Sequence, residues 1–148
     1  MKQRGFTLIE LLITLAIAAI LATVAVPAFS TFLARQQLAS DTNELLSGLN
    51  FARSKAITLR KNVSFDLTQG DGEAWKYEVE DESGNLLRRR QGGNQRIEVT
   101  SETVTFDRLG RRSSCSPACT ITLAHDHKDL DARDIVITPM GSARRGEP

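Results

Sequence analysis

Two cysteines, two histidines, one tryptophan and one tyrosine are all that 148 residues supply of these side chains, and neither sign of charge dominates, with 19 lysines and arginines against 18 aspartates and glutamates. These shortages exclude whole classes of function. There is no Gly-x-Ser-x-Gly, no phosphate-binding glycine loop, and no Cys and His pair placed for nucleophilic chemistry, so no catalytic constellation stands out and an enzyme is not expected. Metal chemistry is equally poorly supplied. His125-Asp126-His127 is followed by Asp129, Asp131 and Asp134, but no further His or Cys completes a ligand set. Asp129-Leu130-Asp131 lacks the glycine and the final glutamate of a calcium loop, so this stretch reads as a solvated loop. No metal or cofactor is expected. Internal repeats are also missing, and the global charge names no partner. With the first apolar stretch set aside, the length leaves one core of about 120 residues and no room for a second domain.

What the chain does have is a long apolar run near its start, MKQRGFTLIELLITLAIAAILATVAVPAF. From Phe6 to Val26 it makes roughly 31 Å of helix at about 1.5 Å per residue, enough to cross a hydrocarbon core of about 30 Å. Lys2 and Arg4 place the amino end on the cytoplasmic side and everything after Pro27 outside the cytoplasm. Glu10 is the anomaly. A carboxylate buried there costs roughly 2.5 kcal/mol or more, so a retained acid needs a partner. A secretory signal peptide cleaved near Val26-Pro27-Ala28 is the competing reading, but its apolar run is usually about 7–15 residues and carries no early acid. A plain membrane anchor is the other.

Beyond the run, Pro27 removes a backbone donor and crowds the carbonyl of Thr23, which predicts a kink near Val24 to Val26. The helix then continues from Ala28 to about Leu59. Apolar or small residues recur at Leu38, Thr42, Leu45, Leu49, Ala52 and Ala56, while Arg35, Gln36, Asp41, Glu44, Arg53 and Lys55 mark polar positions. A coiled coil is the rival, yet Thr42, Ala52 and Ala56 make a poor seam, whereas small residues suit close packing on a sheet. Strands follow. Val63 to Leu67 and Trp75 to Val79 alternate with period two around a polar loop containing Gly70-Asp71-Gly72 and read as a hairpin. Further strands are predicted at Arg96 to Thr100, Thr103 to Arg108, Thr120 to Ala124 and Asp134 to Thr138. The fold class is α+β, one long amino-terminal helix packed on a mainly antiparallel β-sheet. The exported half faces an oxidising compartment, so Cys115 and Cys119 are expected to form a disulfide that staples one turn.

Gly5-Phe6-Thr7-Leu8-Ile9-Glu10 resembles the signal of type IV pilins and type II secretion pseudopilins. The resemblance implies cleavage after Gly5 by prepilin peptidase, N-methylation of Phe6, and a role for Glu10 in assembly, its carboxylate meeting the amine of a neighbouring subunit's first residue and so setting an axial register. Residues 1–5 are then a leader, 6–27 a transmembrane and assembly helix, and 28–148 a periplasmic domain that includes the amphipathic helix 28–59. Loss of Lys2 and Arg4 with the leader leaves 17 basic against 18 acidic residues, a formal charge of −1. The pilin resemblance implies the same α+β fold. Leu49 to Ile57 and Asp134 to Gly141 are similar to the helix end and closing strand of the GspH/FimT group.

FimT-like members of that group are minor pilins, some of them similar to DNA-binding pilins with a Gly-Arg-x-Arg motif. The corresponding stretch here is Gly141-Ser142-Ala143-Arg144-Arg145, where Ser142 replaces the first arginine and Arg145 is the candidate that compensates. Arg111 and Arg112 are the second pair of candidates for double-stranded DNA. Residues 88–112 are rich in arginine and residues 66–82 in Asp and Glu, which predicts an electrically two-sided domain. Phosphate tracking would give sequence-independent binding of roughly 0.1 mM to 1 µM that weakens with salt. A solvated surface, or a face meeting an acidic neighbour, is the alternative. The expected partners are other major and minor pilins or pseudopilins, prepilin peptidase, an inner-membrane assembly platform and membrane lipid. The expected location is the inner membrane and then a pilus, or, in the GspH-like alternative, the pseudopilus of type II secretion.

Overall fold

The computed structural model describes residues 6–115 and 119–146. Leu, Ile and Ala dominate the beginning of the chain and favour a helix, and α1 runs Leu8–Leu59. Thr7 caps it: the Glu10 amide donates to Thr7 Oγ1 at 3.3 Å and the Leu11 amide to the Thr7 carbonyl at 3.2 Å. Thr7-Leu8-Ile9-Glu10 therefore has the spacing of a capping box, a signal the sequence reading passed over. Pro27 lies inside the helix. The hydroxyls of Ser30 and Thr31 donate to its carbonyl at 2.9 and 3.1 Å.

The chain divides into two compact units, Met1–Leu33 and Ala34–Pro148. In the first, every residue from Phe6 to Ser30 is exposed, so this apolar helix buries nothing within the chain. α1 is long and apolar enough, by length and composition, to cross a membrane. In the second, Leu38, Thr42, Leu45, Leu49, Ala52 and Ala56 are all buried, the stripe that the spacing predicts. Gly48 lies on the same face. A Cβ there would sit 2.7 Å from Phe65 Cε2 and 2.7 Å from Tyr77 Cζ, so glycine lets the helix backbone approach these two buried rings.

The strands are β1 Val63–Thr68, β2 Lys76–Asp81, β3 Leu86–Gln91, β4 Ile97–Val99, β5 Glu102–Phe106, β6 Cys119–His125, β7 Arg133–Ile137 and β8 Ala143–Arg145. They form two four-stranded sheets, ordered β3-β2-β1-β5 and β4-β6-β7-β8, with every pairing antiparallel. The expected α+β class, a long helix on antiparallel strands, is what forms, with the strands divided between two sheets. β1 and β2 pair as the expected hairpin, from Val63 opposite Asp81 to Thr68 opposite Lys76. Their inward Phe65, Leu67, Tyr77 and Val79 meet Ile97, Ile121, Leu123, Ile135 and Ile137 of the second sheet and Leu45 and Leu49 of α1 in one core.

β3 and β8 went unread because Leu86-Leu87-Arg88-Arg89-Arg90-Gln91 and Ala143-Arg144-Arg145 show no apolar alternation. Each is the end strand of its sheet, where arginine discourages pairing with another chain. β3 also corrects the expected charge separation. Glu78 pairs in register with Arg89, and their side chains form an ion pair at 2.7 Å, so acidic and basic runs lie side by side on neighbouring strands.

Candidate functional site

Two regions hold the residues singled out by sequence. At the amino end, Gly5 lies outside the described residues. Phe6 is 86% exposed, and Glu10 is exposed in the first turn of α1. A glutamate there is favoured locally, because the positive end of the helix dipole attracts its charge. Only the half of the capping box in which the Thr7 hydroxyl accepts the Glu10 amide forms: among the described residues, no donor meets the Glu10 carboxylate. The group is left with capacity for an external cation.

At the carboxyl end, two turns abut. In the first, Asp107 Oδ1 accepts the amides of Leu109 and Arg111, both at 2.9 Å, and Asp107 Oδ2 lies 3.1 Å from Arg111 Nε. The Arg111 amide, ahead of Leu109 and the Arg111 side chain, holds the half-buried Asp107 carboxyl below its usual range. In the second, the Gly141 amide donates to the Thr138 carbonyl at 2.8 Å and the Thr138 amide to the Ser142 carbonyl at 3.0 Å. Arg112 joins the turns, its amide donating to Pro139 and its Nη1 to the Ile137 carbonyl, each at 3.1 Å. From α1, Arg53 Nε donates to the Gly110 carbonyl at 3.0 Å and Nη2 to the Met140 carbonyl at 3.2 Å. Arg53, in sequence only a polar position on the helix, is the pin of this corner. Gly141 has φ 77°, and a Cβ there would strike the Gly110 carbonyl. The glycine is required by the backbone.

The arginines are therefore not equivalent. On β8, neighbouring side chains point to opposite faces. Arg144 shares a face with Ser142, whereas Arg145 points the other way and its Nη2 donates to Asn43 Oδ1 of α1 at 2.7 Å. The alternation places Arg145 on the face opposite position 142. Arg111 and Arg112 are committed to Asp107 and to the β7 carbonyl, and Arg144 is exposed without a bond to another described side chain.

Elsewhere the Cys115–Cys119 disulfide is present, with Cα atoms 5.3 Å apart. Glu102 brings a carboxylate oxygen within 4.8 Å of both sulfurs, the only ligand-type trio found among the described residues, but its sulfurs are spent in the bridge. His125, expected in a solvated loop, is the last residue of β6 and 7% exposed, with Nδ1 2.9 Å from Asp126 Oδ1. Pairing of Ile97 with His125 draws it inward. Asp41, likewise read as an outward polar position, is buried and accepts from Trp75 Nε1 at 2.8 Å. Burial pushes its carboxyl up, against the lowering effect of the Trp75 bond. Tyr77 donates to Glu44 Oε1 at 2.8 Å, and burial followed by that contact raises its phenol well above the ordinary value.

The family model described as Type II transport protein GspH matches residues 41–141, and that described as Prokaryotic N-terminal methylation motif matches residues 1–26. A fimbrial protein of Pseudomonas aeruginosa is 36% identical over 98 residues, 66% of this chain and 60% of that protein. The type IV major fimbrial protein FimA of Dichelobacter nodosus is 35% identical over 82 residues, 55% of this chain and 43% of that protein. The chain thus spans less than two thirds of the length of these curated relatives. Among solved structures, the type IV minor pilin FimU of P. aeruginosa superposes with a TM-score of 0.64, covering 78% of this chain and 92% of that one at 21% identity, a likeness of fold.

Proposed function

We propose, for a chain that belongs to the GspH/FimT family of type IV pilin-like proteins, that it is a minor subunit drawn from the inner membrane into a type IV pilus. The family is one of structural pilins rather than enzymes. The observation that carries the reading is the exposed apolar helix from Phe6 to Ser30, interrupted by one uncompensated acid, Glu10, and overlapping the methylation motif matched over residues 1–26. In a bilayer that surface is solvated by lipid; on extraction into a fibre it is covered by other subunits' helices. Glu10 then meets the amine of a neighbouring Phe6, and a buried carboxylate left without that partner is costly enough to reject other registers. Cleavage after Gly5 by prepilin peptidase creates that amine, and a membrane assembly platform supplies the neighbouring subunits. Replacing Glu10 with Ala is expected to leave membrane insertion and cleavage intact and to lower the amount of the chain in sheared fibres. Unchanged incorporation rules out the docking role.

The finer reading is capture of double-stranded DNA by the exposed corner at Arg144, with Arg111 and Arg112 nearby. With one fully available arginine the binding is weak and steeply salt-dependent. Arg144→Ala should abolish retention of duplex DNA at low salt, and an unaltered titration would remove DNA from the account. The GspH description favours a second reading, a minor pseudopilin of type II secretion. Separate scoring of secretion, transformation and twitching in a deletion strain distinguishes the two.

A further inference from the structure

A cleft of about 430 Å³ opens in the second unit between α1, the segment joining β6 to β7, and the end of β8, lined by Arg35, Leu38, Asp129, Asp131, Arg133 and Arg145 among others. Its charges are unusual in their pairing. Arginines and aspartates share one small cleft, yet among the described residues the side chains of Arg35, Arg133, Asp129 and Asp131 form no hydrogen bond or ion pair with one another or with any other group. Arg145 is held in place by Asn43, which takes one of its donors and leaves the others. The wall is firm: the Gly146 amide donates to the Asp134 carbonyl at 2.8 Å, Asp134 Oδ1 accepts from Thr122 Oγ1 at 2.7 Å, and Leu38 and Leu130 belong to or pack against the core. Cations and anions that line one cleft without pairing with one another are complementary to a ligand that carries both charges.

Position along the chain selects the source of that ligand. After Glu10, Arg35 is the first charged residue, and only the buried Ala34 separates it from the exposed Phe32 and Leu33. A helix whose apolar stretch is solvated by lipid passes into the headgroup layer where such a residue appears. We propose that the cleft binds the zwitterionic headgroup of a phosphatidylethanolamine-type lipid, the arginines taking the phosphate and Asp129 and Asp131 the primary ammonium. This rests on the membrane-anchored reading given above. The chemistry is selective, because a choline headgroup has the same charges but no N–H to donate to the aspartates, and a glycerol headgroup has no cation.

The test uses the full chain in nanodiscs made with ethanolamine, choline or glycerol phospholipid, with bound lipid counted by native mass spectrometry after release. Retention of the ethanolamine lipid about tenfold above the other two is expected. The Arg35→Ala, Asp131→Asn double variant should lose that preference while still resisting alkaline extraction from membranes. Equal retention of all three lipids, or an unchanged preference in the variant, overturns the proposal. So does soluble glycerophosphoethanolamine that competes at the affinity of the lipid, which would make the ligand a free phosphoethanolamine. Extraction by alkali of both proteins would instead fail the membrane reading, so the two failures are separable.

Discussion

Replacing Gly141 with Ala separates two costs that a glycine can hide. Gly141 has φ 77° and Gly84 has φ 78°, so alanine at either site meets the same left-handed backbone penalty, about 1–2 kcal/mol. Their surroundings differ completely. Nothing lies within 4 Å of a Cβ at Gly84, whereas at Gly141 the new methyl collides with the Gly110 carbonyl. That carbonyl is tied by Arg53 Nε at 3.0 Å, and its residue's amide is tied to the Asp107 carbonyl at 2.7 Å, so it cannot yield without breaking the corner. Loss of the charged hydrogen bond adds about 1.5–3 kcal/mol. Gly141→Ala is therefore expected to cost about 2.5–5 kcal/mol, the sum of the two terms, and Gly84→Ala about 1–2 kcal/mol, the backbone term alone. Urea unfolding of the full chain in detergent micelles, followed through the single buried tryptophan, Trp75, reads both. Equal losses in the two variants would refute the claim that the turns are locked together, and with it the structural reason for glycine in the Gly141 to Arg144 stretch.

Asp41→Asn keeps an acceptor for Trp75 and removes a carboxyl whose pKa is raised by burial. The folded parent binds that proton more tightly than the unfolded chain, so its stability falls as pH rises from about 3.8 through the raised folded value. The variant's advantage over the parent should grow across that window, and a pH-independent difference contradicts it. The only tyrosine, Tyr77, should remain protonated in ultraviolet titration beyond its ordinary value of 10.0, and a normal phenolate transition in the folded protein would show that its burial beside Glu44 is wrong. Changing both Cys115 and Cys119 to Ser should cost about 2 kcal/mol, the chain-entropy value for so short a loop. Denaturation of parent and variant under oxidising and reducing conditions checks it: only the parent should respond to reductant.

The periodic parts of the fold were legible. The stripe from Leu38 to Ala56 and the alternation in β1, β2, β6 and β7 depend on burial repeating at 3.6 or 2 residues, which composition displays directly. Arginine-rich β3 and β8 were hidden because an edge strand can present charge along its length without breaking its ladder. Asp41, Glu44 and Arg53 were read as solvent-facing because their partners, Trp75, Tyr77 and the Gly110 carbonyl, are at least 33 residues away in sequence. The same distance hid the cleft beside Arg35. At the amino end, by contrast, the signal is local, and Gly5 to Glu10 can be read in one glance; only the capping role of Thr7 escaped. The Gly141 to Arg145 stretch lies between these cases, since the motif is visible but the opposite facing of Arg144 and Arg145 needs the strand assignment.

The central claim is that this chain becomes a fibre subunit whose first residue is made by cleavage after Gly5. Its most direct test is the intact mass and amino-terminal sequence of the chain recovered from sheared surface fibres, beside Gly5→Ala. The account predicts a fibre-borne chain that begins at methylated Phe6, and a variant that stays in the membrane at the unprocessed mass. A chain still beginning at Met1 and confined to the membrane, or a Gly5→Ala variant that enters fibres normally, would contradict it.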